Sequence, residues 1–224
     1  MATRHLSHEE ARAFYDRFGR NQDWQRFYED PAIDALLRRA DFESARSVVE
    51  LGCGTGRLAA RLLEERLPSE ATYAGFDLSR TMARLARERI APWSDRTEIR
   101  LTDGSPHLPL GDDTCDRFLS AYVLDLLSEQ EIHATLHEAG RVLAPGGRLC
   151  LIGLTFGQTL LSRCVCRLWT TLHSLSPRVV GGCRPLRLAA YAAEWQITHR
   201  EVVCAFAICS EVLIAEQPRP GQSR

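Results

Sequence analysis

Short apolar runs alternate along the chain with longer amphipathic stretches, and this rhythm sets the first expectations. The runs at Ser47–Leu51, Thr72–Asp77, 98–103, 116–121 and 147–154 have strand length, and 197–208 and 211–216 add two more near the C-terminus. The stretches between them carry helical punctuation. Ser79 is placed to cap a helix running through Ile90, with Met82, Leu85, Ala86 and Ile90 on one face. Ser128 and Glu131 have capping-box spacing and precede Ile132, Leu136, Ala139 and Leu143 at core-facing intervals. That helix must end at Pro145-Gly146-Gly147, because proline cannot continue it and glycine permits the tight turn. Strand and helix in alternation predict an α/β domain around a mainly parallel sheet.

Two segments break the alternation. Residues 7–41 read as helical and are rich in aromatics, among them Phe14, Tyr15, Phe18, Trp24, Phe27 and Tyr28. Residues 155–195 interpose between the fifth strand and the last two, with Leu160, Leu161, Cys164, Val165, Leu168, Trp169, Leu172 and Leu175 on one apolar helical face. Such segments often cover the ligand site at the C-terminal edge of a doubly wound sheet, but for most of these residues completing the core is the favoured reading. The chain is accordingly read as one domain, 1–224. It comprises a helical cover at 1–44, a core at 45–154, a helical insertion over the site at 155–195, closing strands at 196–217 and a tail at 218–224.

Composition narrows the classes of function. With 28 basic and 29 acidic side chains and a net charge of −1, the chain has no broad electrostatic footprint for nucleic acid. An apolar content of 45% over 224 residues suffices for a folded core. No run approaches the ~20 apolar residues of a membrane span. The charged N-terminal stretch lacks the apolar segment of a signal peptide, so a cytoplasmic protein is expected. Eight cysteines occur without any C-x-x-C pair, mostly inside apolar runs, and read as buried, reduced thiols. No metal site is expected: Cys164 and Cys166 would point apart on a helix, and His133 and His137 have no evident third ligand.

The informative stretch is Glu50-Leu51-Gly52-Cys53-Gly54-Thr55-Gly56-Arg57, where a strand meets a glycine-rich turn and a helix begins at once. Glycine lets the backbone turn sharply and approach a ligand with no side chain between them, and the free amides at the helix start suit an anionic group. The spacing is G-x-G-x-G. A nicotinamide-dinucleotide fingerprint would place its third glycine where Arg57 stands. Asp77 closes the next strand, where a carboxylate can accept both hydroxyls of a ribose. Asp103 closes the third, and with Gly104-Ser105 offers a carboxylate and backbone amides to an adenine edge. Either acid alone also suits a solvated strand end; the ordered set points to an adenosine-bearing ligand.

Together with Leu108-Pro109-Leu110 and Arg141-Val142-Leu143-Ala144-Pro145-Gly146-Gly147, this set resembles the class I S-adenosylmethionine-dependent methyltransferases, most of all the branch containing the ubiquinone and menaquinone biosynthesis enzymes. The match runs over roughly 45–154. It implies a doubly wound, Rossmann-like sheet of seven strands, mainly parallel with an antiparallel C-terminal strand, and helical cover segments. It also implies S-adenosylmethionine as cofactor and S-adenosylhomocysteine as product. By the same resemblance Glu50 anchors the glycine loop and the methionine ammonium, while Gly52, Cys53, Gly54 and Gly56 line the methionine portion. Asp77 holds the ribose, Leu78 and Met82 pack on the adenine, and Asp103, Gly104 and Ser105 address its edge. Ser120, Ala121 and Tyr122 pass beneath the sulfonium and face the acceptor. One departure stands out: that branch often carries histidine where this chain has Asp125.

The expected activity is in-line methyl transfer to a small, apolar or aromatic acceptor, with O-, C-, S- and N-methylation all open. Where the acceptor must lose a proton, Tyr122 is the best-placed base, ahead of Asp125, His107, His133, His137 and His173. Tyr15, Trp24, Phe27 and Trp169 are candidate acceptor contacts, and Arg184, with Arg163 and Arg167, is available to an acidic group or to water. The partner is a small molecule rather than nucleic acid, and the chain is read as a monomer or homodimer. Two alternatives stay open. One is a non-catalytic S-adenosylmethionine-binding or partner module. The other is a nicotinamide-dependent oxidoreductase, which the glycine spacing and the absence of a Tyr-x-x-x-Lys pattern disfavour. After the fourth strand the chain reads Ser120-Ala121-Tyr122-Val123, not the N-P-P-Y type that marks amine methylation of bases or glutamine.

Overall fold

A computed structural model describes residues 5–217, so the tail at 218–224 lies outside the described residues. The strands are β1 (Ser47–Leu51), β2 (Thr72–Asp77), β3 (Thr97–Leu101), β4 (Cys115–Ala121), β5 (Leu143–Thr155), β6 (Gln196–Ala205) and β7 (Ile208–Glu216). They form one sheet in the order β3-β2-β1-β4-β5-β7-β6. The first five pair in parallel, and β7 lies antiparallel between β5 and β6. The strand order reverses between β1 and β4, and the crevice outside the carboxyl ends of the strands at such a reversal is where doubly wound sheets bind ligands.

The helices are α1 (His8–Phe18), α2 (Arg26–Arg39), α3 (Arg57–Glu65), α4 (Arg80–Arg89), α5 (Glu129–Val142), α6 (Leu160–Leu175) and α7 (Leu188–Tyr191). Both serine caps form as read. Ser79 Oγ accepts the Met82 amide, and Ser128 and Glu131 close a reciprocal capping box on α5. Strand alternation sorts the core into two layers. Val48, Cys150 and Ile214 face α2 and α3, where Leu36, Phe42 and Leu62 are fully buried. Val49, Leu149 and Leu213 face α5, with Phe118, Ile132 and Ala139. Each of the valine, leucine, isoleucine and phenylalanine side chains contributes about 1.5–3 kcal/mol through burial. Arg117 fastens the far edge by donating to the carbonyls of Ala40 and Asp41 and to Ser44 Oγ.

Five expectations need correcting. Helix α5 ends at Val142, ahead of Pro145-Gly146-Gly147, and β5 already begins at Leu143 rather than at 147. The third strand spans Thr97–Leu101 rather than 98–103: Thr102 N makes the last link, to Asp77 O at 2.9 Å, and Gly104 at φ +95° turns the chain away. The final hairpin turns at Phe206-Ala207, whose φ values of 50° and 65° form a two-residue turn with neither asparagine nor glycine to announce it. Not all eight cysteines are reduced. Cys204 and Cys209 face each other across that hairpin, Cα atoms 4.1 Å apart, and form a disulfide, while the other six are free. Finally, α6 does not turn its leucine face inward: Leu160, Leu161, Leu168 and Leu175 are exposed, and Ser162 and His173 are its buried residues.

Candidate cofactor and acceptor site

One cavity of about 210 Å³ opens at the carboxyl ends of β1, β2 and β4, and the glycine loop is its floor. The loop bends through Gly52, Gly54 and Gly56, all at positive φ. A Cβ on Gly52 would lie 2.1 Å from Val123 Cγ2, and one on Gly56 2.8 Å from Ala86 Cα, so these two glycines are required by packing. A Cβ on Gly54 would meet nothing within 4 Å; this glycine lines the cavity and keeps it open. Its amide donates to Asp77 Oδ2 (2.8 Å), while Ser79 N donates to Asp77 Oδ1 (2.8 Å). The carboxylate thereby ties the loop to the start of α4. Burial nonetheless pushes Asp77 up to about 6, against the pull of those amides.

Glu50 is buried in the floor of the cavity and accepts the Tyr73 hydroxyl. Burial pushes its carboxyl up to about 8, with the Tyr73 hydroxyl pulling the other way. A buried carboxylate with a single strong donor suits a cationic group brought beside it. At the other end, Leu78, Met82, Gly104 and Ser105 line the wall, and His8 of α1 closes over Gly104 while pairing with Glu131 at 2.8 Å.

The remaining wall comes from α2 and the end of β4: Tyr28, Glu29, Ile33, Ala121 and Tyr122, with Arg57 from α3. Tyr122 sits at φ +58°, a conformation that a bulky residue holds only where its surroundings impose it. Its hydroxyl is 2.8 Å from Ser210 Oγ, and its ring meets Tyr28 edge-on at 6.0 Å. Burial drives its phenol well above the ordinary value. Glu29 Oε2 accepts from Arg57 at 2.7 Å. Burial pushes the Glu29 carboxyl up to about 7, and the Arg57 charge holds it from going higher.

Of the residues singled out from the sequence, the cavity is lined by Glu50, Gly52, Cys53, Gly54, Asp77, Leu78, Met82, Gly104, Ser105, Ala121, Tyr122 and Tyr15. Others stand back from it. Gly56 packs on α4, and Ser120 Oγ donates to Leu51 O (3.2 Å), joining β4 to β1 under the loop. Asp103 is exposed and caps its own turn through the Ser105 amide at 2.8 Å. Four acceptor candidates lie outside the cavity. Trp24 is 81% exposed, and Phe27 packs on Phe206 at 5.4 Å. Trp169 Nε1 donates to Cys183 O (2.9 Å), and buried Arg184 donates to Leu127 O (2.6 Å). Asp125 is buried too, its Oδ2 taking the Leu154 amide at 2.7 Å. Glu29 and Tyr28 are not legible as site residues in the sequence, because no spacing marks which face of α2 turns to the cavity, and Arg57 of α3 joins them there by pairing with Glu29.

A family described as a methyltransferase domain matches residues 48–147, the part of the chain that builds the loop, the Asp77 strand end and the floor of this cavity. Over these residues the chain is similar to a methyltransferase domain. Methyltransferase GfsG of Streptomyces halstedii is 32% identical over 129 residues, covering 57% of this chain and 44% of that protein. The ubiquinone/menaquinone biosynthesis C-methyltransferase UbiE of Syntrophotalea carbinolica is 30% identical over 118 residues, 53% of this chain and 48% of its own. The chain thus spans about half the length of the curated relatives it matches. A chain from the complex between the Haloferax volcanii Trm112 methyltransferase activator and the putative methyltransferase shares the fold at a TM-score of 0.73 and 17% identity, covering 95% of this chain and 100% of that one. The matched residues end within β5. The wall of α1 and α2 that closes the cavity lies outside them.

Proposed function

We propose that this chain transfers the methyl group of S-adenosylmethionine to a small acceptor with an apolar or aromatic body. The observation that carries this reading is the continuity of one cavity. It runs from Met82 and Gly104 over the glycine loop to Tyr28, Glu29 and Tyr122, so a cofactor end and an acceptor end share one enclosure. The residues fit the cofactor. The space a Gly54 side chain would fill is open, the Glu50 carboxylate is placed for an ammonium, and Asp77 stands at the ribose position beyond the loop.

When bound, S-adenosylmethionine supplies a methyl group already activated by a cationic sulfur, so the protein need not generate an electrophile. The chain's task is placement and dryness. Ala121 and Tyr122, at the strained end of β4, fix the floor between the two ends. Tyr15, Tyr28 and Ile33 exclude water and favour a flat apolar acceptor. Tyr122 stays protonated and positions through its hydroxyl, with Ser210 as its partner, rather than acting as the base first expected of it. Glu29, in the wall and near neutral in affinity for a proton, takes that role for an acceptor that must lose one.

Calorimetric titration with S-adenosylhomocysteine, with NADH in parallel, tests the cofactor. Micromolar binding of the first and none of the second is expected, and the reverse would replace this reading with an oxidoreductase. Transfer of labelled methyl to phenols, quinols, thiols and amines then tests the acceptor class, with phenols and quinols expected to lead. No transfer to any of them alongside firm cofactor binding would favour a non-catalytic module.

A further inference from the structure

The helix α6 is packed inside out. Leu160 (82% exposed), Leu161, Leu168 (61% exposed) and Leu175 stand in water, and Val179 continues the patch just beyond the helix end. At 100° per residue the four leucines share an arc of about 100°. The opposite side is the one attached to the protein: Trp169 donates to Cys183 O, and His173 Nε2 lies 3.2 Å from Gly182 O. The charge that α6 itself carries has one sign, and Glu10 of α1 meets Arg178, next to Val179, in an ion pair at 2.7 Å. Arg163 and Arg167 flank the leucines, exposed and without an ion pair among the described residues, and the sequence has no acidic residue between Glu138 and Glu194.

We propose that α6 docks on an anionic membrane surface, leucines in the headgroup–acyl boundary and arginines among the lipid phosphates. An apolar stripe bordered along one side by arginines, on a helix that carries no acid, complements a surface that is apolar within and negative at its rim. A second copy presenting the same face would set these arginines against each other. The placement gives the docking a consequence. α6 follows the carboxyl end of β5, and the tip of the β6–β7 hairpin meets it in a small cleft lined by Cys166, Trp169, Ala207 and Cys209. The exposed Phe206 ring at that tip meets Phe27 edge-on, so the apolar surface extends along the same edge of the sheet on which the cavity opens. Cys183, whose carbonyl holds Trp169, itself lines the cavity. Docking therefore holds the acceptor end of the cavity close to the bilayer. No helix among the described residues is long and apolar enough to cross a membrane.

The test is co-sedimentation of the full chain with vesicles of phosphatidylcholine alone and of phosphatidylcholine doped with phosphatidylglycerol; it reads no turnover and is independent of the cofactor assignment. The chain should pellet with the anionic vesicles and far less with the zwitterionic ones. Leu161→Glu with Leu168→Glu should lower the bound fraction about tenfold by removing the buried apolar contacts. Arg163→Gln with Arg167→Gln should abolish the preference for anionic lipid. These arginines are exposed and unpaired, so the second pair keeps the test decisive should the first fail to fold. Absence of pelleting with either vesicle, or variants that pellet like the native chain, overturns the proposal. So does a native dimer, dissociated by the leucine variant, that ignores vesicles; that result would assign the face to a second copy of the chain.

Discussion

With no cation in the cavity, burial keeps most Glu50 carboxyls protonated at neutral pH, since their affinity for a proton is pushed up to about 8. An ammonium brought beside Glu50 reverses the balance, because a nearby positive charge favours the carboxylate. Binding then releases a proton, and S-adenosylhomocysteine affinity should rise about tenfold per pH unit up to about pH 8 and level off above it. Titrations on both sides of that value check the slope, and Glu50→Gln should flatten it. A flat profile in the native chain would remove Glu50 from the cofactor site. The loop glycines divide on geometry. Gly56→Ala drives a Cβ into the α4 backbone at φ +75° and should cost about 1–3 kcal/mol in urea unfolding. Gly54→Ala meets no neighbour, so it should cost less stability while weakening S-adenosylhomocysteine binding by intruding on the cavity.

At the level of elements, what the sequence made legible is what local chemistry decides. The serine caps of α4 and α5 are short-range hydrogen bonds and form where the spacing puts them. The strand–glycine–helix passage is legible for the same reason: its φ values demand glycine wherever it folds. Periodicity, by contrast, names the apolar face of a helix but not what that face meets, and so α6 was read with its leucines inward. It likewise leaves open which aromatics of α2 enter the cavity. Phe27 and Tyr28 are neighbours about 100° apart on a helix, so one turning in sends the other out, and Tyr28 is the one buried. Glu29, beside it, owes its raised proton affinity chiefly to burial, against the pull of Arg57 on α3. Glu29→Gln should leave S-adenosylhomocysteine affinity unchanged, lower turnover of a phenolic acceptor on the order of 10²-fold, and remove the rise in rate with pH near neutrality. An unchanged pH–rate profile would mean that the acceptor loses its proton elsewhere.

For the whole molecule, Asp77, Glu29, Glu50 and Asp125 form a set with one consequence. Burial, the leading cause in each, pushes them up to about 6, 7, 8 and 8. Between the ordinary carboxylate range and pH 8, the folded chain therefore binds more protons than the unfolded one, and its stability falls as pH rises through that window. Glu138 works in the opposite sense. Despite burial, which pushes it up, the Arg141 guanidinium and the Leu108 amide hold it down to about 2, so its contribution is complete above the ordinary value of 4.5 and lost as pH falls toward 2. These carboxyls together stabilise the ligand-free chain most near roughly pH 5, while His5 and His173, whose proton affinity burial lowers, oppose that trend as pH falls below 6.5. Thermal unfolding across this range should show Tm declining from mildly acidic to mildly basic buffer. Asp125 is the member of the set to remove. Its Oδ1 is buried without a hydrogen-bond partner and its Oδ2 only accepts from Leu154 N, so an amide oxygen can replace the acceptor without bringing a charge. Asp125→Asn should thus raise Tm at basic pH and leave it nearly unchanged in acid, making the decline shallower. Saturating S-adenosylhomocysteine should also make it shallower, through Glu50 rather than Asp125, so the two effects should add. A native Tm that climbs with pH over the same interval would show that these carboxyls are ionised in the fold, and that the cavity is wetter than its lining implies.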